Sequence, residues 1–250
     1  MKFQWHRWTR KAHRYLGVLI GIQFMAWTIG GLYFSWTDLD KVHGSDLIGP
    51  APVLVESVKT APLDGIVGNV LSQEASVIHR IDFLTISESA AIYRISYTDK
   101  DGERGAVLVD AVTGQVRQHL SEEESSQLAS ARYAGTGELV ESRRIESTGP
   151  HDEYRELPLP AYAFTFNDER LTTIYVAPAH ARITAVRNGT WRVFDFLWML
   201  HTMDYEGRDD FNNLLLQAFA VFGLLTLLSG FALFLFSSKV FRNANRRRTS

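Results

Sequence analysis

Eight histidines are the residues of this chain best suited to hold a metal or move a proton, and no cysteine accompanies them. Without a thiol this chain forms no disulfide, no thiolate metal site and no iron–sulfur cluster, and offers no cysteine nucleophile. His79, His119, His151 and His180 stand at scattered spacings that make no metal-binding motif. Gly-x-Ser-x-Gly, HExxH and P-loop patterns are absent. The other four histidines flank long uncharged segments. His6 and His13 are seven residues apart, nearly on one helical face, ahead of the first segment. His43 follows that segment by seven residues, and His201 precedes the second by 13.

The elements that must position these histidines come next. Tyr15–Trp36 and Leu214–Phe236 carry no charged residue. At about 1.5 Å per residue each is roughly 33 Å long, enough to cross a ~30 Å hydrocarbon core. The first apolar run exceeds that of a signal peptide, and no A-x-A-like site follows it, so an uncleaved anchor is expected. Residues 1–14 hold five bases and no acid, as do residues 239–250, which leaves 16 bases against all 28 acids between them. The positive-inside rule then places both termini in the cytoplasm and residues 37–213 outside, in a Gram-negative bacterium the periplasm. An acidic centre argues against nucleic acid as partner. The basic ends suit anionic membrane lipid. Gly17-x-x-x-Gly21 is a small-xxx-small pattern that lets helices approach closely, within this chain or between copies.

Residues 37–61 read as a connector. Pro62 opens a short helix with Leu63, Ile66, Val67 and Val70 on one face. Strands are expected at Val77–Ile86, Ile92–Thr98, Ala106–Asp110 and Gln115–His119, with a helix at 122–133 announced by Ser121 and Glu124 as a capping box. A weaker copy follows, with Ala161–Asn167, Thr172–Val176 and Arg182–Val186 answering the second to fourth strands. Gly135–Gly137 and Ser147–Pro150 read as loops between the halves. The fold class is thus a membrane protein. Two transmembrane α-helices flank an extracytoplasmic α+β domain over residues 62–190, with an antiparallel sheet in two related halves. Residues 191–202 are rich in Phe, Trp and Leu and suit either a helix on the outer membrane surface or a helix of the domain core.

Three stretches carry a resemblance. They are Arg10-Lys-Ala-His13-Arg-Tyr-Leu-Gly17, then Val107-Leu-Val-Asp110-Ala-Val-Thr-Gly-Gln-Val116, then the run from Leu157-Pro-Leu-Pro160 through Tyr175-Val-Ala-Pro178 to Asp195-Phe-Leu-Trp-Met-Leu-His201. In this order they resemble the PepSY-associated transmembrane family of bacterial membrane proteins, its VDxxTGxV hairpin included. The second copy departs from it, with Ala177-Pro-Ala-His180 where VDxxTG would stand. The resemblance implies a periplasmic PepSY-like domain between inner-membrane helices. Larger relatives with four spans are linked to siderophore–iron reduction and to b-type haem on span histidines; soluble PepSY domains are linked to peptidase inhibition.

Haem b takes two axial ligands, or one plus a free position. His13 and His201 flank opposite ends of spans, about 30 Å apart, and cannot share an iron. Either His43 meets His201 at the outer surface, or a second copy of the chain completes each level. The expected cofactor is haem b on His13, His201 and His43, in an electron carrier working as a homodimer or with a membrane redox partner. No NAD or flavin motif points to a self-sufficient enzyme. The alternative is a non-catalytic anchored module that binds or regulates a periplasmic protein or peptidase.

Overall fold

The computed structural model describes residues 4–54 and 59–237. The basic tail from residue 238 onward lies outside the described residues, as does the side chain of His6. The chain forms two compact units. One takes residues up to Thr37 and from Phe194 onward; the other is Asp38–Val193.

The helical unit is built on α1 (Gln4–Trp36) and α6 (Leu214–Ser237), the sixth α-helix along the chain. Within these, His13–Trp36 and Leu214–Leu235 are long and apolar enough to cross a membrane. Their apolar side chains project outward: Leu19 is 65% exposed, Ile22 69% and Leu224 56%. A helix in the core of a soluble domain would bury them, so this surface requires an apolar covering.

The second unit begins with α2 (Leu39–His43), whose N-cap Asp38 accepts from the Asp40 N–H. Then α3 (Leu63–Gln73) precedes the strands β1 (Val77–Thr85), β2 (Ala91–Thr98), β3 (Arg104–Asp110) and β4 (Val116–Arg117). The order repeats with α4 (Glu122–Arg132), β5 (Leu139–Ile145), β6 (Ala161–Phe166), β7 (Thr173–Ala177) and β8 (Arg182–Arg187). Each set of strands is an antiparallel meander in sequence order. Finally, α5 (Gly189–Thr202) carries the chain from this unit into the helical one.

The repeat expected from sequence is therefore present as a repeated order of one helix and four strands. Its correspondences hold: β6 answers β2, β7 answers β3, and β8 answers β4. The hairpin at Asp110 is built by a side chain. One oxygen of Asp110 accepts from the Val112 and Thr113 N–H groups and the Thr113 hydroxyl, and Gly114 turns the chain at φ 72°. At the equivalent point after β7, Ala181 takes φ 47°. The left-handed turn survives there without glycine, following the short helical turn Pro178–His180.

Ile66 and Val70 of α3 pack with Ile95, Val107 and Val109 on one face of the first sheet. The largest core joins the halves: Leu128 and Ala129 of α4 and Phe164, Ile174 and Val176 of the second sheet close on Ile92 and Leu108 of the first. The capping box is present: the Ser121 hydroxyl accepts from the Glu124 N–H at 3.1 Å, and Glu124 accepts from the Ser121 N–H at 2.7 Å. Strand β5 has no counterpart in the sequence reading, which left it between two loops. Six of its seven residues are exposed, so no alternation marks it; pairing with β6 makes it a strand.

The unit starts at Asp38, so much of the segment read as connector belongs to it. Val42 is 1% exposed and Leu47 8%. The Asn188 side chain donates to the Lys41 carbonyl at 3.0 Å, and the Ala134 N–H donates to Leu47 O at 2.9 Å. Residues 38–193 expressed alone should therefore fold cooperatively. A version starting at residue 62 should unfold at lower temperature and lose on the order of 3 kcal/mol, from the burial of two aliphatic side chains. Thermal denaturation followed by circular dichroism compares the two.

Candidate functional site

The first two candidate histidines lie in the helical unit. Helix α6 runs antiparallel to α1: Phe219 packs on Trp27 with ring centroids 5.0 Å apart, and His13 meets Ser229. His13 thus faces a turn of α6 that lies inside its apolar run, which extends to Leu235. The sequence places this residue at the end of the first span. The stagger between the helices sets it against Ser229 and Gly230, where a β-carbon on Gly230 would stand 3.3 Å from His13 Cε1.

The His13–Ser229 hydrogen bond has a direction. The Ser229 hydroxyl has a single proton, which it donates to Thr226 O at 2.7 Å. Ser229 Oγ therefore accepts from His13 Nδ1–H, at 2.8 Å. In the tautomer with that proton on Nδ1 the lone pair is on Nε2, the nitrogen that can ligate.

His13 lines a groove of about 940 Å³ between the two helices, shared with Gly17, Gly21, Trp27, Gly223 and Phe231. A β-carbon on Gly17, Gly21 or Gly223 would meet nothing within 4 Å. The missing side chains are what open the groove down to helix backbone. Trp27 lies 14 residues beyond His13 on α1, about 21 Å along the axis.

His201 occupies that second level. Its ring stacks on Trp27 at 4.9 Å and on Trp198 at 6.3 Å, with Phe34 edge-on at 5.9 Å. Residues 194–202 of α5 run antiparallel along α1, with Phe194 against Phe34 at 4.7 Å and Gln23 Nε2 donating to Leu200 O at 2.7 Å. This part of α5 is thus a packing partner of α1. His201 Nδ1 and Trp27 Nε1 are buried with no hydrogen-bond partner among the described residues. His13 and His201 share the unit but stand at different levels. His43 belongs to the other unit, exposed at the end of α2, where Gly44 closes the helix at φ 69°.

Of the remaining histidines, His79 Nε2 pairs with Thr98 Oγ1 at 2.7 Å, and His119 Nδ1 with Leu120 O at 3.1 Å. Among the described residues no group of three His, Asp or Glu could hold a metal ion. Sequence reasoning missed Thr226 and Ser229. The signal was present, because a hydroxyl inside a long uncharged helix must find a partner there.

A tight loop after α5 returns the chain to α6. Asp204 is 7% exposed and accepts backbone N–H bonds from Asp210 at 3.0 Å, Gly207 at 3.0 Å and Glu206 at 3.2 Å. The bond from Asp210 is the foremost cause that holds this carboxyl below its usual range, and it outweighs the opposing effect of burial. Arg208 is ion-paired with Asp195 of α5, and Asn213 caps α6 by accepting from the Leu216 N–H at 2.8 Å. Compared with known proteins, the chain matches no family model, no curated protein and no solved structure.

Because the folded pKa of Asp204 is depressed, its stabilisation is present above the ordinary carboxylate pKa near ~3.9 and is lost as pH falls through the depressed value. Amide protection at Gly207 and Asp210, measured relative to the intrinsic exchange rate at each pH, should fall only in that acid window. Asp204→Ala should lower it at neutral pH, by about 2 kcal/mol.

Proposed function

We propose that this chain is a bacterial inner-membrane protein with a PepSY-like extracytoplasmic domain, and that it serves as a b-haem-linked electron carrier in iron, siderophore or other metal handling. One observation carries the reading: His13 lines a large apolar groove with Nδ1–H tied to Ser229, which leaves Nε2 as the ligating nitrogen. Metal-bound imidazoles in proteins are oriented in this way, by a hydrogen bond on the other ring nitrogen. The basic segments at both ends support cytoplasmic termini.

The residues present fit a flat apolar group. Gly17, Gly21 and Gly223 leave room for a planar body, and the surrounding Phe and Leu side chains keep water out. A b-type haem bound there would supply one-electron exchange at a potential set by its ligands and their surroundings. Ser229 fixes the tautomer and orientation of His13. Among the described residues each chain offers one histidine at this level, so a second copy supplies the other, with Gly17-x-x-x-Gly21 allowing close approach. His201 is proposed for the second level, supported by its buried Nδ1, which has no partner among the described residues. His43 remains the third candidate.

The test is an absorption spectrum of the full chain, expressed with ample haem and purified from membranes. A Soret band with a reduced-minus-oxidised b-type difference is expected. His13→Ala should remove a component of it. Ser229→Ala should weaken haem retention about tenfold or more. Gly21→Leu should fill the groove and block uptake while the protein still inserts. A colourless, folded wild type would overturn the haem reading in favour of an anchored module that binds or regulates a periplasmic protein or peptidase.

A further inference from the structure

The second unit holds a cavity that the haem reading leaves unused. Arg94 reaches it from β2, Arg132 from the last turn of α4 and Arg182 from the start of β8. The cavity is about 440 Å³, within the ~300–1,000 Å³ usual for small-molecule sites. Its other walls are largely apolar, among them Phe83, Leu84 and Ile183, and no carboxylate among the described residues lines it. Between its basic ends this chain has 28 acids against 16 bases, so three guanidinium groups around one cavity run against the local composition.

The three arginines differ in what already holds them. Arg94 is paired with Asp82, at 2.7 Å from Nη2 and 3.3 Å from Nε. Arg132 donates Nε–H to Gly49 O at 2.7 Å. The Arg182 guanidinium has no hydrogen-bond or ion-pair partner among the described residues. One carboxylate thus answers three cations. The neighbouring His180 feels the excess: burial first, then the charges of Arg182 and Arg94, hold its pKa below the usual histidine value.

We infer that this cavity binds a small organic anion, a carboxylate or phosphate head on an apolar body, with the head on Arg132 and Arg182 and the body against Phe83, Leu84 and Ile183. The fork of a guanidinium matches both head groups. The apolar wall gives no advantage to an inorganic ion, and the acidic surroundings disfavour a polyanion. The inference stands apart from the haem reading, since a colourless protein would leave it untouched.

The full chain in phosphatidylcholine nanodiscs is titrated with benzoate, phenyl phosphate, inorganic phosphate and the neutral analogue benzyl alcohol, followed by calorimetry and ligand-observed NMR. Saturable binding of benzoate or phenyl phosphate is expected, and which of them binds tighter identifies the head group. Arg182→Gln should weaken it about tenfold or more, the effect of one charge-assisted hydrogen bond, and Arg182→Lys should fall between. Because Arg182 is exposed and has no partner among the described residues, neither change should move the melting temperature. Absence of saturable binding, equal affinity in Arg182→Gln, or benzyl alcohol binding as tightly would each overturn the inference. Inorganic phosphate binding as tightly as phenyl phosphate would reduce the cavity to a general anion site and overturn it too.

Discussion

A polar atom held among apolar side chains needs a partner, and that need organises the helical unit. Water is the ordinary partner of a histidine or serine; between α1 and α6 the neighbours are Phe, Leu and Gly, so the partners come from the chain. Ser229 passes its proton to the backbone of its own helix and is left as an acceptor for His13. Thr226 donates to Phe222 O and Thr28 to Phe24 O, each closing on its own helix. Gln23 reaches Leu200 O on α5 and so ties a second helix to α1. Against this background the unmet needs of Trp27 Nε1 and His201 Nδ1 stand out, stacked on each other in one aromatic cluster.

The other unit solves a different problem, how two small sheets become one body. Neither meander is large. Helix α4 lies on the second sheet, and residues from both sheets close around it, so that Ile92 and Leu108 share a core with Phe164 and Ile174. The second sheet's other face is covered by the loop before β6. Tyr154 stacks there on Tyr175 at 4.8 Å and donates its hydroxyl to Pro158 O at 2.9 Å. Arg94 bridges the halves, bound to Asp82 in its own sheet and donating to His180 O beyond β7. The arginine-lined cavity arises at this junction, where two repeats of like element order meet.

Much of this was legible in the residues. Charge-free runs mark α1 and α6, because a long stretch without charge suits little else. Alternation marks β2 and β6, and Ser121 with Glu124 marks the start of α4. The hairpin at Asp110 was readable because its geometry is local: one carboxylate bonds Val112 and Thr113, two and three residues on. What escaped had no local signature. Strand β5 is a charged edge strand, and α2 looks like linker until Val42 and Leu47 are seen to be buried.

The sequence by itself determined the two apolar helices, a helix and four strands in the first half with three answering strands in the second, and which histidines stand near span ends. Those follow from periodicity, capping and charge, which act over a few residues. Only the tertiary structure decided that His13 faces Ser229 and not the end of a span, that glycines on two helices open one groove, and that His201 stacks on Trp27. It also decided that Arg94, Arg132 and Arg182 meet at one cavity. Each of these depends on helix stagger or on strands far apart in the chain. The interactions that set such placements, packing and polar pairing between distant segments, leave no spacing in the sequence from which they can be read.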